Sequence, residues 1–250
     1  MDFESPAFWL ALGQIIWINI ILSGDNAVVI ALAARGLPPK QQKQAIVWGS
    51  GAAVVLRIVL TLVAAALLNL PYLQIIGGLL LLYIGVQLLS EGEEEDGGGK
   101  EHGGMMAAVR TILIADLVMS LDNVIAVALA AKIDGVVNYP LLIIGLAISI
   151  PLVIFGSTLM IKLMERFPVI VVLGAGLIGW VAGDAMTHDL ALKGIFAGNA
   201  PLAYAVKIGC VVLVIGIGKW LGSRADARHA LANQEAAMPK QVAAEQKSEH

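Results

Sequence analysis

The chain has 250 residues, of which 58% are hydrophobic and 14% charged, with a formal net charge of −3. Its mean hydropathy is +0.84. A soluble domain carries about 25% charged residues, so composition excludes an ordinary soluble globule and points to an all-α polytopic membrane protein.

Seven continuously apolar runs are predicted, at 8–33, 46–69, 72–89, 109–131, 139–161, 168–187 and 201–221. Each lies near the roughly 20 residues that span hydrocarbon as a helix, and unbroken rather than alternating hydrophobicity favours helices over a barrel. The first run carries Ser23-Gly24-Asp25-Asn26 near its middle. No basic region precedes it, and it is too long and too polar centrally for a cleaved signal peptide, so it reads as a retained span. The second run contains Arg57, and the third ends near Tyr83 and Gln87. A Glu- and Gly-rich segment, 90–108, follows; it cannot bury a core and is expected to be disordered, with weak binding of a divalent ion as the functional alternative.

The fourth run holds Asp116, Met119 and Ser120-Leu121-Asp122-Asn123. The sixth ends near Asp184, and the seventh contains Cys210, the chain's one cysteine, which reads as a small packing residue. The polar, alanine-rich tail 223–250 is expected to be a frayed helix or disordered.

The two motifs lie 97 residues apart, and the offset continues without a gap: Thr61 matches Thr158, Pro71 matches Pro168, and Gly77 matches Gly174. The chain therefore divides into a first three-helix repeat at 8–89, the loop 90–108, a second three-helix repeat at 109–187, a seventh transmembrane helix at 201–222 and the tail. Three is odd, so the second repeat enters from the opposite side and the repeats should be inverted about an axis in the membrane plane. Twelve of the sixteen Lys and Arg residues fall on the side of the C-terminus. That places the C-terminus in the cytoplasm and the N-terminus outside.

An ionisable group within a span is costly and generally functional. Asp25 and Asp122 each lie inside a span with no cation adjacent in sequence. Asp116, Ser120 and Asn123 share one helical stripe, as do Asn19, Ser23 and Asn26, while Asp25 and Asp122 sit about a third of a turn away. Local unwinding at Gly24 would reconcile these directions, since broken helices at membrane depth survive where they line a cavity. The donors are carboxylates, amides, hydroxyls and carbonyls, with no histidine central in a span. Such hard ligands suit Mg, Ca or Mn rather than Zn or Cu. Met119 offers a thioether that would favour manganese, or simply packs. Arg57 is a charge partner for Asp25 or Asp116, or snorkels to an interface; Asp184 is a solvated helix-end residue or a gate. A purely stabilising network, with Arg57 as counter-charge, is the alternative reading of the acids.

The stretches S-G-D-N-A-V-V-I-A-L and S-L-D-N-V-I-A-V-A-L resemble the TerC family of integral membrane proteins, over about residues 8–222, and most closely its short bacterial, YjbE-like branch. The resemblance implies seven helices, the LysE-like transporter superfamily and a role in manganese export or metal homeostasis, with tellurite resistance as the historical label. It implies that the family's acids correspond to Asp25, Asp116 and Asp122, to which the polar pattern of the chain adds Asn26 and Asn123 as metal ligands, with Asn19, Ser23, Ser120 and Met119 secondary. Asn19 stands where the pattern expects an acid, six residues before Asp25.

These features predict a bacterial inner-membrane exporter of a divalent cation, Mn²⁺ foremost, coupled to protons or the membrane potential. The alternatives are a membrane-protein assembly factor and an exporter of a small organic solute. No nucleotide loop, nucleophile with base or zinc signature is present, so neither enzymatic activity nor a cofactor is expected. The expected partners are the lipid bilayer and the metal ion, with a homo-oligomer or membrane-protein partner open and no nucleic acid.

Overall fold

The computed structural model describes residues 6–22, 24–67, 70–94, 104–133 and 136–248. Among them the helices are α1 (Pro6–Leu22), α2 (Gly24–Ala34), α3 (Pro39–Leu67), α4 (Leu73–Glu94), α5 (Met105–Ala130), α6 (Tyr139–Arg166), α7 (Val169–His188), α8 (Lys193–Phe196) and α9 (Ala200–Ser248). Among the described residues the strands are two, β1 (Lys132–Ile133) and β2 (Val136–Val137), which pair antiparallel between α5 and α6. The dominance of helix follows from the solvent: hydrocarbon offers backbone groups no partner, so each segment must bond to itself.

Five helices among the described residues are long and apolar enough to cross a membrane, at Pro39–Leu62, Leu73–Ser90, Tyr139–Arg166, Val169–His188 and Ala200–Ala225. The first expected span is a bent pair: Phe8–Asn19 and Gly24–Ala34 stand at 47° to one another, giving six if counted as one broken span. The remaining expected span lies in α5, where the side chains of Asp122 and several neighbours are outside the described residues. The central part of the acidic segment, 95–103, is also outside them. The tail is helical through Ser248, as a continuation of α9.

Packing gathers α4, α7 and α9 on one side and α1, α2, α3, α5 and α6 on the other. A continuous apolar core that includes Ile30, Leu81, Ile112, Val118 and Ile178 joins the two groups. Contacts recur at the repeat offset. Helix α5 lies along α3 as α1 and α2 lie along α6; Ile112 covers Gly49 and its counterpart Ile15 covers Gly145, a glycine one position short of the offset. Thr61 donates to the Arg57 carbonyl at 2.7 Å and Thr158 to the Ile154 carbonyl at 2.8 Å.

Helix α9 is held by backbone proximity. A Cβ added at Gly183 would lie 2.7 Å from the Lys207 Cα, and one at Gly179 would lie 2.9 Å from the Val211 Cα, so α7 and α9 touch at small residues as membrane helices do. Lys207 then pairs with Asp184 and lies 5.5 Å from the Trp180 ring centre and 5.3 Å from that of Tyr204. At the end of α7, the buried Asp189 carboxylate accepts amides from the start of α4.

Candidate functional site

The break between α1 and α2 sets the site's geometry. Leu22 ends α1, Gly24 begins α2, and Ser23 lies outside the described residues. Gly24 takes no left-handed conformation, because Gly198 is the one glycine with positive φ among the described residues. Its contribution is low helix propensity, reinforced by Asp25, whose Oδ1 accepts the Asn26 amide at 2.8 Å. A carboxylate bonded to a nearby amide in this way competes with the regular ladder and favours a helix start. Asp25 is consequently placed in the first turn of α2, where helix dipole and carboxylate attract.

Helix α5 presents the facing set. Asp116 Oδ1 is ion-paired with Arg57 Nη2 on α3, and its Oδ2 accepts from Ser120 Oγ at 3.1 Å. Arg57 Nε donates to the same Ser120 oxygen at 2.9 Å, closing a ring of three side chains. Arg57 is 4% exposed, Asp116 6% and Ser120 0%. Burying two charges costs several kcal/mol each, which pairing and additional hydrogen bonds offset; the ring supplies both. Asp25 lies within electrostatic reach of Arg57 and Asp116, which act on it with opposite sign.

Arg57 and Asp116 border a cavity that Asn26, Ser50, Ser149 and the apolar Ile30 also line. Asn26 from the first motif, Asp116 from the fourth run and Arg57 from the second therefore meet at one place. Ser50 and Ser149 are additions the sequence did not single out. Each is a lone hydroxyl in an apolar run, and their counterparts at the repeat offset, Ala147 and Ala52, are apolar. Ser149 donates to the Leu146 carbonyl at 2.6 Å, while the buried Ser50 hydroxyl has no hydrogen-bond partner among the described residues.

The other expected residues are distributed around this centre. Asn19 is fully buried near the end of α1, with both side-chain polar atoms unpartnered among the described residues. Asn123 is half-buried on α5, and Asp122 follows Leu121 in the same helix with its side chain outside the described residues. Met119 is packed in the main apolar core. Asp184 does not line the cavity; it serves Lys207 on α9 and approaches His188 at 3.7 Å. Among the described residues no three His, Cys, Asp or Glu side chains form a metal-binding group. The cavity combines hard oxygen donors, one fixed cation and an apolar surround.

The family model "Integral membrane protein TerC family" matches residues 4–226. The "Uncharacterized membrane protein YjbE" of Bacillus subtilis (strain 168) is 42% identical over 208 residues, covering 83% of this chain and 93% of that protein. The "Uncharacterized membrane protein YkoY" of the same organism is 28% identical over 214 residues, covering 78% of this chain and 66% of YkoY. The "UPF0053 inner membrane protein YoaE" of Escherichia coli (strain K12) is 28% identical over 188 residues, which are 67% of this chain but 35% of YoaE. No solved structure matches the chain.

Proposed function

The chain belongs to the TerC family of integral membrane proteins, and from that premise we propose that it exports a divalent metal cation, Mn²⁺ foremost, across the bacterial inner membrane. The observation that carries this reading is the cavity within the apolar bundle where Asn26 of α2, Arg57 of α3 and Asp116 of α5 meet beside Asp25. Charged groups at such depth are costly and mark ion pathways. The oxygen donors suit a hard divalent ion.

The proposed architecture has seven spans, with α1–α2, α3 and α4 as one repeat, α5, α6 and α7 as its inverted copy, and α9 as the addition. The paired contacts Ile112 on Gly49 and Ile15 on Gly145 support it, as do the matched threonine bonds to residues 57 and 154. The bias of Lys and Arg supports a cytoplasmic C-terminus. Symmetry brings the broken first span and α5 together at the midplane, so that Asp25 and Asp122 share the ion. Release to the outside is followed by return of the empty site, driven by protons or by the membrane potential.

Purified protein in vesicles loaded with Mn²⁺ tests the reading directly. Protein-dependent efflux, with Mg²⁺, Ca²⁺ and Zn²⁺ compared in parallel, is the expected result. Absence of flux for all four ions would move the assignment to the assembly-factor alternative, for which Asp25→Asn should be tolerated.

A further inference from the structure

We propose that Ser50 supplies a neutral oxygen ligand to the transported divalent cation and helps to set which ion the cavity accepts. This deepens the exporter reading and rests on it.

A hydroxyl within a helix has a ready partner, the carbonyl three or four residues before it. Among the described residues the buried hydroxyls are those of Ser50, Thr61, Ser120, Ser149, Ser157 and Thr187. Thr61 takes the carbonyl of Arg57, Ser149 that of Leu146, Ser157 that of Val153 and Thr187 that of Asp184. Ser120 donates to Asp116 instead. Ser50 is 2% exposed, and its Oγ has no hydrogen-bond partner among the described residues. It stands half-way along the candidate span Pro39–Leu62. A polar group so placed is costly unless something else bonds to it.

The helix fixes where this hydroxyl belongs. Ser50, Ala53, Val54 and Arg57 all line the cavity, at the i, i+3, i+4 and i+7 spacing of one helical face. Gly49, next to Ser50, lies against Ile112, so α3 and α5 approach closely beside it. Asp116 of α5, Asn26 of α2 and Ser149 of α6 line the same cavity. Arg57 pairs with Asp116 and balances its charge. An ion entering the cavity therefore depends the more on neutral oxygens that replace its water. The Ser149 hydroxyl proton is committed to the Leu146 carbonyl. Ser50 gives up no bond to a described residue when it turns a lone pair to a cation. Its counterpart at the repeat offset is Ala147, so this oxygen is particular to one half of the molecule and breaks the symmetry of the motifs.

The variants that test the assignment are Ser50→Ala, Ser50→Cys and, as a control, Ser157→Ala, which removes a buried hydroxyl that does not line the cavity. The buried Cys210 is present in all of them. Efflux of Mn²⁺ and Cd²⁺ from vesicles is measured over a range of ion concentrations, and melting in detergent is followed with and without Mn²⁺. Ser50→Ala should raise the half-saturating Mn²⁺ concentration about tenfold or more, in efflux and in the melting shift alike, since even groups behind a metal's ligands change its affinity on that scale. Without metal its melting temperature should not fall, because the hydroxyl removed has no bond to lose. Ser50→Cys should move the ratio of Cd²⁺ to Mn²⁺ efflux about tenfold or more towards Cd²⁺, as exchange of a hard ligand for sulfur does. Ser157→Ala should leave affinity and ratio unchanged. Unchanged Mn²⁺ affinity in Ser50→Ala, or an unchanged ion ratio in Ser50→Cys, would overturn the inference. So would a lower metal-free melting temperature in Ser50→Ala, which would make the hydroxyl structural. If the unaltered protein shows no divalent efflux but Mn²⁺ still raises its melting temperature, the exporter reading fails, and the melting shifts of the variants still decide the role of Ser50. If Mn²⁺ produces neither effect, both fall.

Discussion

The Asp189 carboxylate accepts the Tyr72 amide at 3.0 Å, tying the end of α7 to the start of α4. The same carboxylate accepts Gln74 at 3.0 Å, Ile75 at 3.3 Å and Ala191 at 2.8 Å. Tyr72 itself sits at φ 68, in the left-handed region that a tyrosine adopts only when its surroundings hold it there. Burial alone would raise the Asp189 carboxyl, but the amides of Ala191, Tyr72, Ile75 and Gln74 outweigh it and hold the group below its ordinary value of 3.8.

A group whose folded pKa is depressed stabilises the fold above its unfolded value and loses that contribution as pH falls through the folded one. Protection of the Tyr72, Gln74 and Ile75 amides against hydrogen exchange, corrected for intrinsic rates, should therefore stay level from about pH 8 to about pH 5. It should be lost only on acidification below 3.8. Asp189→Asn should lower that protection by about 1–3 kcal/mol throughout the neutral range. Unchanged protection in the variant would show that the carboxylate does not hold the junction.

Gly183 on α7 provides a packing test. A Cβ there would meet the Lys207 Cα and backbone nitrogen on α9 rather than the flexible end of a side chain. Gly183→Val should push the helices apart at a cost of about 1–3 kcal/mol and break the Asp184–Lys207 pair. The checks are melting temperature and a cross-linking distance between α7 and α9. Gly209, with open space around it, is the control: Gly209→Ala should be nearly silent.

The sequence repeat was readable because residues such as Thr61 and Thr158 keep a constant spacing of 97 alongside the two motifs. Ile15 and Ile112 stand 97 residues apart, and each meets a glycine, Gly145 and Gly49, although those glycines are not counterparts at that offset. The break before Asp25 was readable for a local reason, since glycine followed by an acid disfavours a continuing helix. The choice of partner for Arg57 was not readable. Its counterpart Ile154 carries no charge, and its pairing with Asp116 rather than Asp25 depends on how α3 lies along α5. Ser50 and Ser149 stayed hidden because a single hydroxyl in an apolar run has no periodicity. The environment of Lys207 was equally hidden: its side chain is only 15% exposed, lying among Asp184, Trp180 and Tyr204.

The bend offers a test of the broken first span. Nothing lies within 4 Å of a Cβ built at Gly24, so Gly24→Leu, which copies Leu121 of the other repeat, meets no backbone obstacle. Leucine favours continuous helix over glycine by about 1 kcal/mol. The 47° angle between the halves should narrow, as measured by spin-label distances across Asn19 and Ala34. Efflux should fall about fivefold, the population shift that 1 kcal/mol produces. Full activity with a straightened helix would separate the bend from transport.

The acids themselves give the most direct test. Asp25 stands in the first turn of α2 beside the pair of Arg57 and Asp116, and Asp122 occupies the matching place in α5. Asp25→Asn preserves shape and hydrogen-bonding capacity while removing one unit of charge. At about 4 Å and an effective dielectric of about 20, a unit charge contributes about 4 kcal/mol of attraction for each charge on the ion. Losing it should therefore cut Mn²⁺ efflux by at least about a hundredfold. Stability should move little, because Asp25 is only half-buried and its bond to the Asn26 amide is one an asparagine side chain can also make. Asp122→Asn should lose flux to the same extent, since the repeat assigns it the same role. Vesicle efflux measured beside melting temperature separates charge from folding. Normal flux in both variants would remove the carboxylates from the transport mechanism, and a large loss of stability in either would mark that acid as structural.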